Sequence, residues 1–169
     1  LRGDCPVTGS STSMLNKMEY DYPKDIATST RLMPDLEGKI LRQIRVNIVV
    51  PEFNVLYLET DDQAYSIQGE IGSEILGIRK MDELPDLTEQ DSYIVRRFPR
   101  FDRFIDKKIK QVRMIGAAWN GHGFELSFEG LLGETMLIQS IYAGDKEEDF
   151  DDCIKLGIGT YEWSSEQGV

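Results

Sequence analysis

A chain of 169 residues with 40% hydrophobic and 29% charged side chains can bury a core without metal or disulfide staples and is too apolar for wholesale disorder. Its formal net charge of −11 and isoelectric point near 4.6 disfavour nucleic acid and anionic membranes and favour cationic partners. No apolar run approaches the ~18 residues of a membrane-crossing helix, and Cys5 and Cys153 lack any metal-ligand spacing.

Residues 1–13, rich in Gly, Ser and Thr, read as a disordered or foreign lead before a start at Met14, and Arg2-Gly3-Asp4 within it as a chance tripeptide. One domain is expected over 14–163, with a patternless tail at 164–169, free thiols and a cytoplasmic setting; a Cys5–Cys153 bridge is the alternative. Residues 14–36 carry mixed signals, and Asp35-Leu36-Glu37-Gly38 makes a turn. Ile40, Ile44, Val46, Ile48 and Val50 then form an apolar face with Arg42, Arg45 and Asn47 in the gaps, which predicts a long strand. A turn at 51–54 and strands at 55–60, 64–68 and 74–81 complete a four-stranded meander over about 36–81.

Across 82–107 the apolar spacing lengthens. Leu87, Ile94, Phe98, Phe101, Phe104 and Ile105 fall near one helical stripe, Thr88 and Asp91 suit a helix start, and Pro99 divides the segment into two short core-covering helices. A second unit follows over about 108–163: a strand at 108–119, a turn at Asn120-Gly121-His122-Gly123, and strands at 124–129, 135–143 and 153–163. Gln43-Ile44-Arg45-Val46 aligns with Gln111-Val112-Arg113-Met114 about 68 positions on, Leu58-Glu59 with Phe128-Glu129 at about 70, and Leu76-Gly77-Ile78 with Leu156-Gly157-Ile158 at about 80. The expected fold is α+β, mainly antiparallel β: two related four-stranded meander units joined by a short helical segment.

No motif specifies a reaction, cofactor or metal. Phosphate loop, nucleophile elbow and paired metal-binding histidines are all missing from the sequence. Glu59 and Glu129 read as exposed strand-end acids, and acidic neighbours make Cys153 a poor nucleophile. His122, the single histidine, reads as a turn residue open to solvent. Two charged stretches stand out. Asp145, Glu147, Glu148, Asp149, Asp151 and Asp152 make an acidic loop without the ligand pattern of a calcium hand. Arg96, Arg97, Arg100, Arg103, Lys107, Lys108, Lys110 and Arg113 make a basic stretch interleaved with Phe98, Phe101 and Phe104, read as a solvated or acid-paired helix face because the phenylalanines are needed by the core.

The leading expectation is a non-enzymatic protein-binding module. The acidic loop, with Trp119 and His122, grips a basic protein partner such as a toxin or nuclease; a bacterial or phage immunity or inhibitor protein is the concrete form. The alternative is a small-ligand or anion-binding domain with a pocket between the two units, drawing on Arg113, Arg100, Arg103, Trp119 and Tyr142.

Overall fold

The computed structural model describes residues 33–49, 52–70, 75–90, 93–117, 120–141 and 153–160, and 69% of these lie in strands. The protein is therefore a mostly antiparallel β structure with very little helix, and the α+β assignment is corrected. Four strands come first: β1 Leu41–Val49, β2 Glu52–Thr60, β3 Ala64–Glu70 and β4 Ile75–Met81. A small hairpin follows, β5 Thr88–Gln90 with β6 Tyr93–Arg97, and then a 3₁₀ helix, Pro99–Phe104. The last four strands are β7 Ile109–Ala117, β8 Asn120–Phe128, β9 Glu134–Ile141 and β10 Cys153–Thr160.

The expected first helix of the linker is thus a hairpin, and the reason is local. Tyr93-Ile94-Val95 is aromatic and β-branched, and β6 finds a ladder on β1, with Val46 opposite Arg96 and Asn47 opposite Val95. Leu87, counted on the apolar stripe, is 51% exposed. Pro99 does open a helical turn, but a 3₁₀ one: Phe98, Phe101 and Phe104 recur every third residue, and three residues per turn puts them on one face. Their rings continue from Phe53 through Phe98, Phe101 and Phe104 to Phe128, with centroids 5.2, 4.8, 5.6 and 4.8 Å apart along that path. This aromatic row ties β2 to β8.

Strand neighbours run β5-β6-β1-β2-β10-β9-β8-β7, with β3 pairing β2 and β4 off this path. β2 opposes β3 from Val55 to Glu59 and meets β10 at Phe53 opposite Ile154. A bridge between Ile40 and Lys108 brings the start of β7 back to the start of β1. Around it Gly38 N donates to Ile109 O at 2.8 Å, Ile109 N to Lys39 O at 2.8 Å and Asp106 N to Leu41 O at 2.7 Å. The path β1-β2-β10-β9-β8-β7 therefore closes on itself. Gly38, at φ +82°, and Asp106, at φ +60°, make the reversals that this junction needs; aspartate tolerates that region better than most side chains. Arg42 holds the Asp106 carboxylate at 2.7 Å.

Alternation then separates two faces. The inner one carries Ile44, Val46, Leu56, Leu58, Tyr65, Ile67 and Ile78 from the first strands and Phe124, Leu126, Phe128, Met136, Ile138 and Leu156 from the last, all buried in one cluster with Phe101 and Phe104. A smaller cluster lies on the outer face of β2 and β3, where Tyr57 and Ala64 pack with Leu84 and Val95. Burial and the Tyr93 hydroxyl beside it push the Tyr57 phenol well above its ordinary pKa.

The ladders also move the second hairpin's tip. Ala117 pairs with Asn120 and Gly121, so Asn120-Gly121-His122-Gly123 belongs to β8 and not to a turn. The glycines serve the strand. A Cβ on Gly123 would stand 2.1 Å from the Ile138 carbonyl oxygen, so β9 can approach only a glycine there.

Candidate functional site

The outer face of β7, β8 and β9 carries a polar cluster. The ladders set Arg113 opposite Glu125, Gln111 opposite Ser127 and Ser127 opposite Thr135, and period-two alternation turns these side chains away from the core. The connection between β8 and β9 overhangs them, reversing through Gly130 and Gly133, both at φ +79°. A cavity of about 560 Å³ results, with Lys110, Gln111, Arg113, Glu125, Ser127 and Thr135 along the strands and residues 128–134 at its edge.

Glu125 is the anchor of this cavity. It is 8% exposed, its Oε2 accepts from Arg113 Nε at 2.7 Å and from Arg113 Nη2, and its Oε1 accepts from Thr135 Oγ1 at 2.9 Å. A carboxylate removed from water this far needs such partners, and the guanidinium supplies two donors in a fixed fork. The rim is charged as well. Arg103 Nη1 donates to both oxygens of Glu134 at 3.0 and 3.1 Å, and Lys108 pairs with Glu129 at 3.0 Å. Leu132, at 98% exposure, marks the tip of the overhang. No ion pair engages Lys107 or Lys110 among the described residues.

A second cavity, of about 370 Å³, lies between β1 and the 3₁₀ helix, lined by Arg42, Gln43, Arg97, Asp102, Ile105 and Asp106. The Arg42–Asp106 pair crosses it. On the neighbouring outer face Gln43 Nε2 donates to Glu59 at 2.6 Å, and Arg45 reaches the Pro85 carbonyl. This outer face is thus covered by Leu84, Pro85 and Val95.

The residues singled out from sequence divide into three groups. Arg113 lines the first cavity, and Arg103 reaches its edge through Glu134, whereas Arg100 is exposed and lines neither. His122 is not at a solvent-open tip: its Nδ1 accepts the Leu76 amide at 2.8 Å and its ring meets Phe124 edge-on at 5.5 Å. Burial holds its pKa below the ordinary imidazole value. Trp119, Tyr142, Asp145, Glu147, Glu148, Asp149, Asp151 and Asp152 lie outside the described residues. Glu125, Thr135 and Ser127 went unnoticed in the sequence, and Lys110 and Gln111 were seen only as parts of a basic stretch and a repeat. The signal was there, since a strand running Phe124-Glu125-Leu126-Ser127-Phe128 puts a glutamate outward, but a hairpin tip placed at 120–123 hid its position opposite Arg113.

Chemically the site is suited to binding. No group of three or more His, Cys, Asp or Glu that could hold a metal ion occurs among the described residues. The Glu125 carboxylate is committed to Arg113 and Thr135, which leaves it poorly placed as a general base. Among the described residues no helix is long and apolar enough to cross a membrane. No protein-family model matches the chain, and comparison with curated proteins and with solved structures likewise gives no match.

Proposed function

We propose that the chain is a non-enzymatic binding module built from two related four-stranded units, and that the acidic connection between β9 and β10 grips a basic protein partner. The carrying observation is where the acid sits. Lys, Arg, Asp and Glu come close to cancelling among the described residues, so most of the net charge of −11 lies outside them, most densely at Asp145–Asp152. Ile141 and Cys153 are a cross-strand pair, so the connection that carries this run leaves from and returns to adjacent positions at one end of the β9–β10 ladder. Six carboxylates tethered this way give a local field that steers a cationic surface, as an inhibitor of a nucleic-acid-directed toxin requires.

The two-unit part rests on matched ladders. β1 pairs β2 with a register shift between Leu41 and Gln43, and β7 pairs β8 with one between Ile109 and Gln111. Ile44 opposite Leu58 then corresponds to Val112 opposite Leu126 at a constant offset of about 68, Ile67 to Ile138 at about 71 and Ile78 to Leu156 at about 78.

The test is retention of a host protein on the immobilised chain. A stoichiometric basic protein that leaves as salt rises, and that a variant carrying Asn and Gln at the six acidic positions retains at least tenfold less well, is the expected result. Equal retention by both chains overturns the reading. The Arg113–Glu125–Thr135 cavity favours a second one, a small polar ligand or anion held by Lys110 and Arg113; thermal shift with inorganic phosphate and dicarboxylates, lost in Arg113→Gln, tests it.

A further inference from the structure

On the two-unit reading, β1 and β7 are counterparts, and they differ in one respect. β1 is paired on both edges, by β2 and by β6, whereas among the described residues the far edge of β7 beyond Lys108 has no strand beside it. Val112 N, which points to that edge, donates instead to the Glu37 carboxylate at 2.9 Å, and alternation turns the amide of Met114 the same way. Exposure tells the same story. Val46, under β6, is 1% exposed, and its counterpart Met114 is 55% exposed.

We propose that the β7 edge is a second docking site, which takes an extended acidic peptide segment of a partner as an added antiparallel strand. The first half shows how such a strand is used: Val95 of β6 turns onto the outer face and packs with Tyr57 and Ala64. The counterparts of Tyr57 and Ala64 are Glu125 and Thr135, at the floor of the 560 Å³ cavity. An added strand therefore projects alternate side chains over a polar site, where in the first half it meets an apolar one. Charge decides the occupant. β7 carries Lys110 and Arg113 and no acid, Lys107 and Lys108 precede it, and the three carboxylates of the cavity are already held by Arg113, Lys108 and Arg103. Lys107 and Lys110 remain to meet the incoming charge, near the C-terminal end of an antiparallel guest.

The experiment uses the full chain and a labelled ten-residue peptide alternating glutamate and valine, with an alternating lysine and valine peptide as control. Fluorescence anisotropy is expected to show saturable binding of the acidic peptide only, about tenfold weaker in Lys110→Glu and abolished in Met114→Pro. The proline removes one outward amide and leaves the β7–β8 ladder intact, and a thermal melt verifies that it folds. Hydrogen exchange at Met114 is expected to slow when the acidic peptide binds. Equal binding of both peptides, or of neither, overturns the proposal. So does protection of the Met114 amide before peptide is added, since the chain itself or a second copy then fills the edge. The variant neutralised at the six acidic positions is expected to bind the peptide undiminished, which separates this site from the acidic connection.

Discussion

His122 and Glu125 lie three positions apart on β8, and each is held by a residue distant in sequence, Leu76 of β4 for the imidazole and Arg113 of β7 for the carboxylate. His122 accepts the Leu76 amide at Nδ1, which the doubly protonated ring cannot do. Burial lowers its pKa, so the folded protein prefers the neutral ring. The resulting stability is complete above the unfolded-chain value of about 6.5 and is lost as pH falls from there through the lower folded pKa. Urea midpoints at pH 7.5 and 5.5 are expected to fall less in His122→Asn, which keeps an acceptor and cannot titrate, than in the parent chain; an equal fall shows that His122 is not the linked group. Asp62 follows the same sign at lower pH, since Lys39 and the Thr60 hydroxyl hold its carboxyl below the usual range. At this scale the sequence was legible by residue type, since it shows Arg113 and Glu125 as charged positions on strands, and illegible by partner, because partners depend on where a hairpin turns.

At the scale of elements the strands were read from alternation, and the helical linker was misread for a physical reason. A spacing of three to four apolar residues suits an α-helix, and it also arises when a short strand is followed by a 3₁₀ turn, as from Ile94 through Phe98, Phe101 and Phe104. What separated the alternatives was tertiary: β1 had an edge for β6 to take. The 3₁₀ helix matters more to stability than its six residues suggest, because Phe104 is fully buried and stacks on Phe128 with rings 24° apart. Phe104→Ala is expected to cost about 3–5 kcal/mol in urea unfolding. Leu132→Ala, at the exposed overhang, is expected to change it by less than about 0.5 kcal/mol. A small loss from Phe104→Ala would mean that the aromatic row relaxes around the gap.

For the whole molecule, a mostly antiparallel β fold could be inferred from sequence, but not how its strands join. Nothing in Ile40 or Lys108 announces a bridge, and Phe53 and Ile154 are ordinary strand residues, yet these contacts decide that one core serves both halves. On the proposed two-unit reading, matching the ladders moves two of the sequence alignments by two positions, from about 70 to about 68 and from about 80 to about 78, a slip that period-two alternation conceals because it keeps each residue on its face. A shared core predicts shared unfolding. Circular dichroism and tryptophan fluorescence should report one coincident transition, and chains cut between Asp106 and Lys107 should give halves that each lose cooperative unfolding. Two separated transitions in the intact chain would show that the halves are autonomous.

The ring of strands has a consequence for how the protein is made. Its closing contacts join Ile40 to Lys108 and Phe53 to Ile154, so the first four strands leave the ribosome long before β10 exists to meet β2. Until then Leu56, Leu58, Tyr65 and Ile67 have no opposite wall, and a nascent chain paused after β4 presents a broad apolar surface. Yield in a cell should therefore depend on elongation rate and on holdase supply more than the stability of the finished fold would suggest.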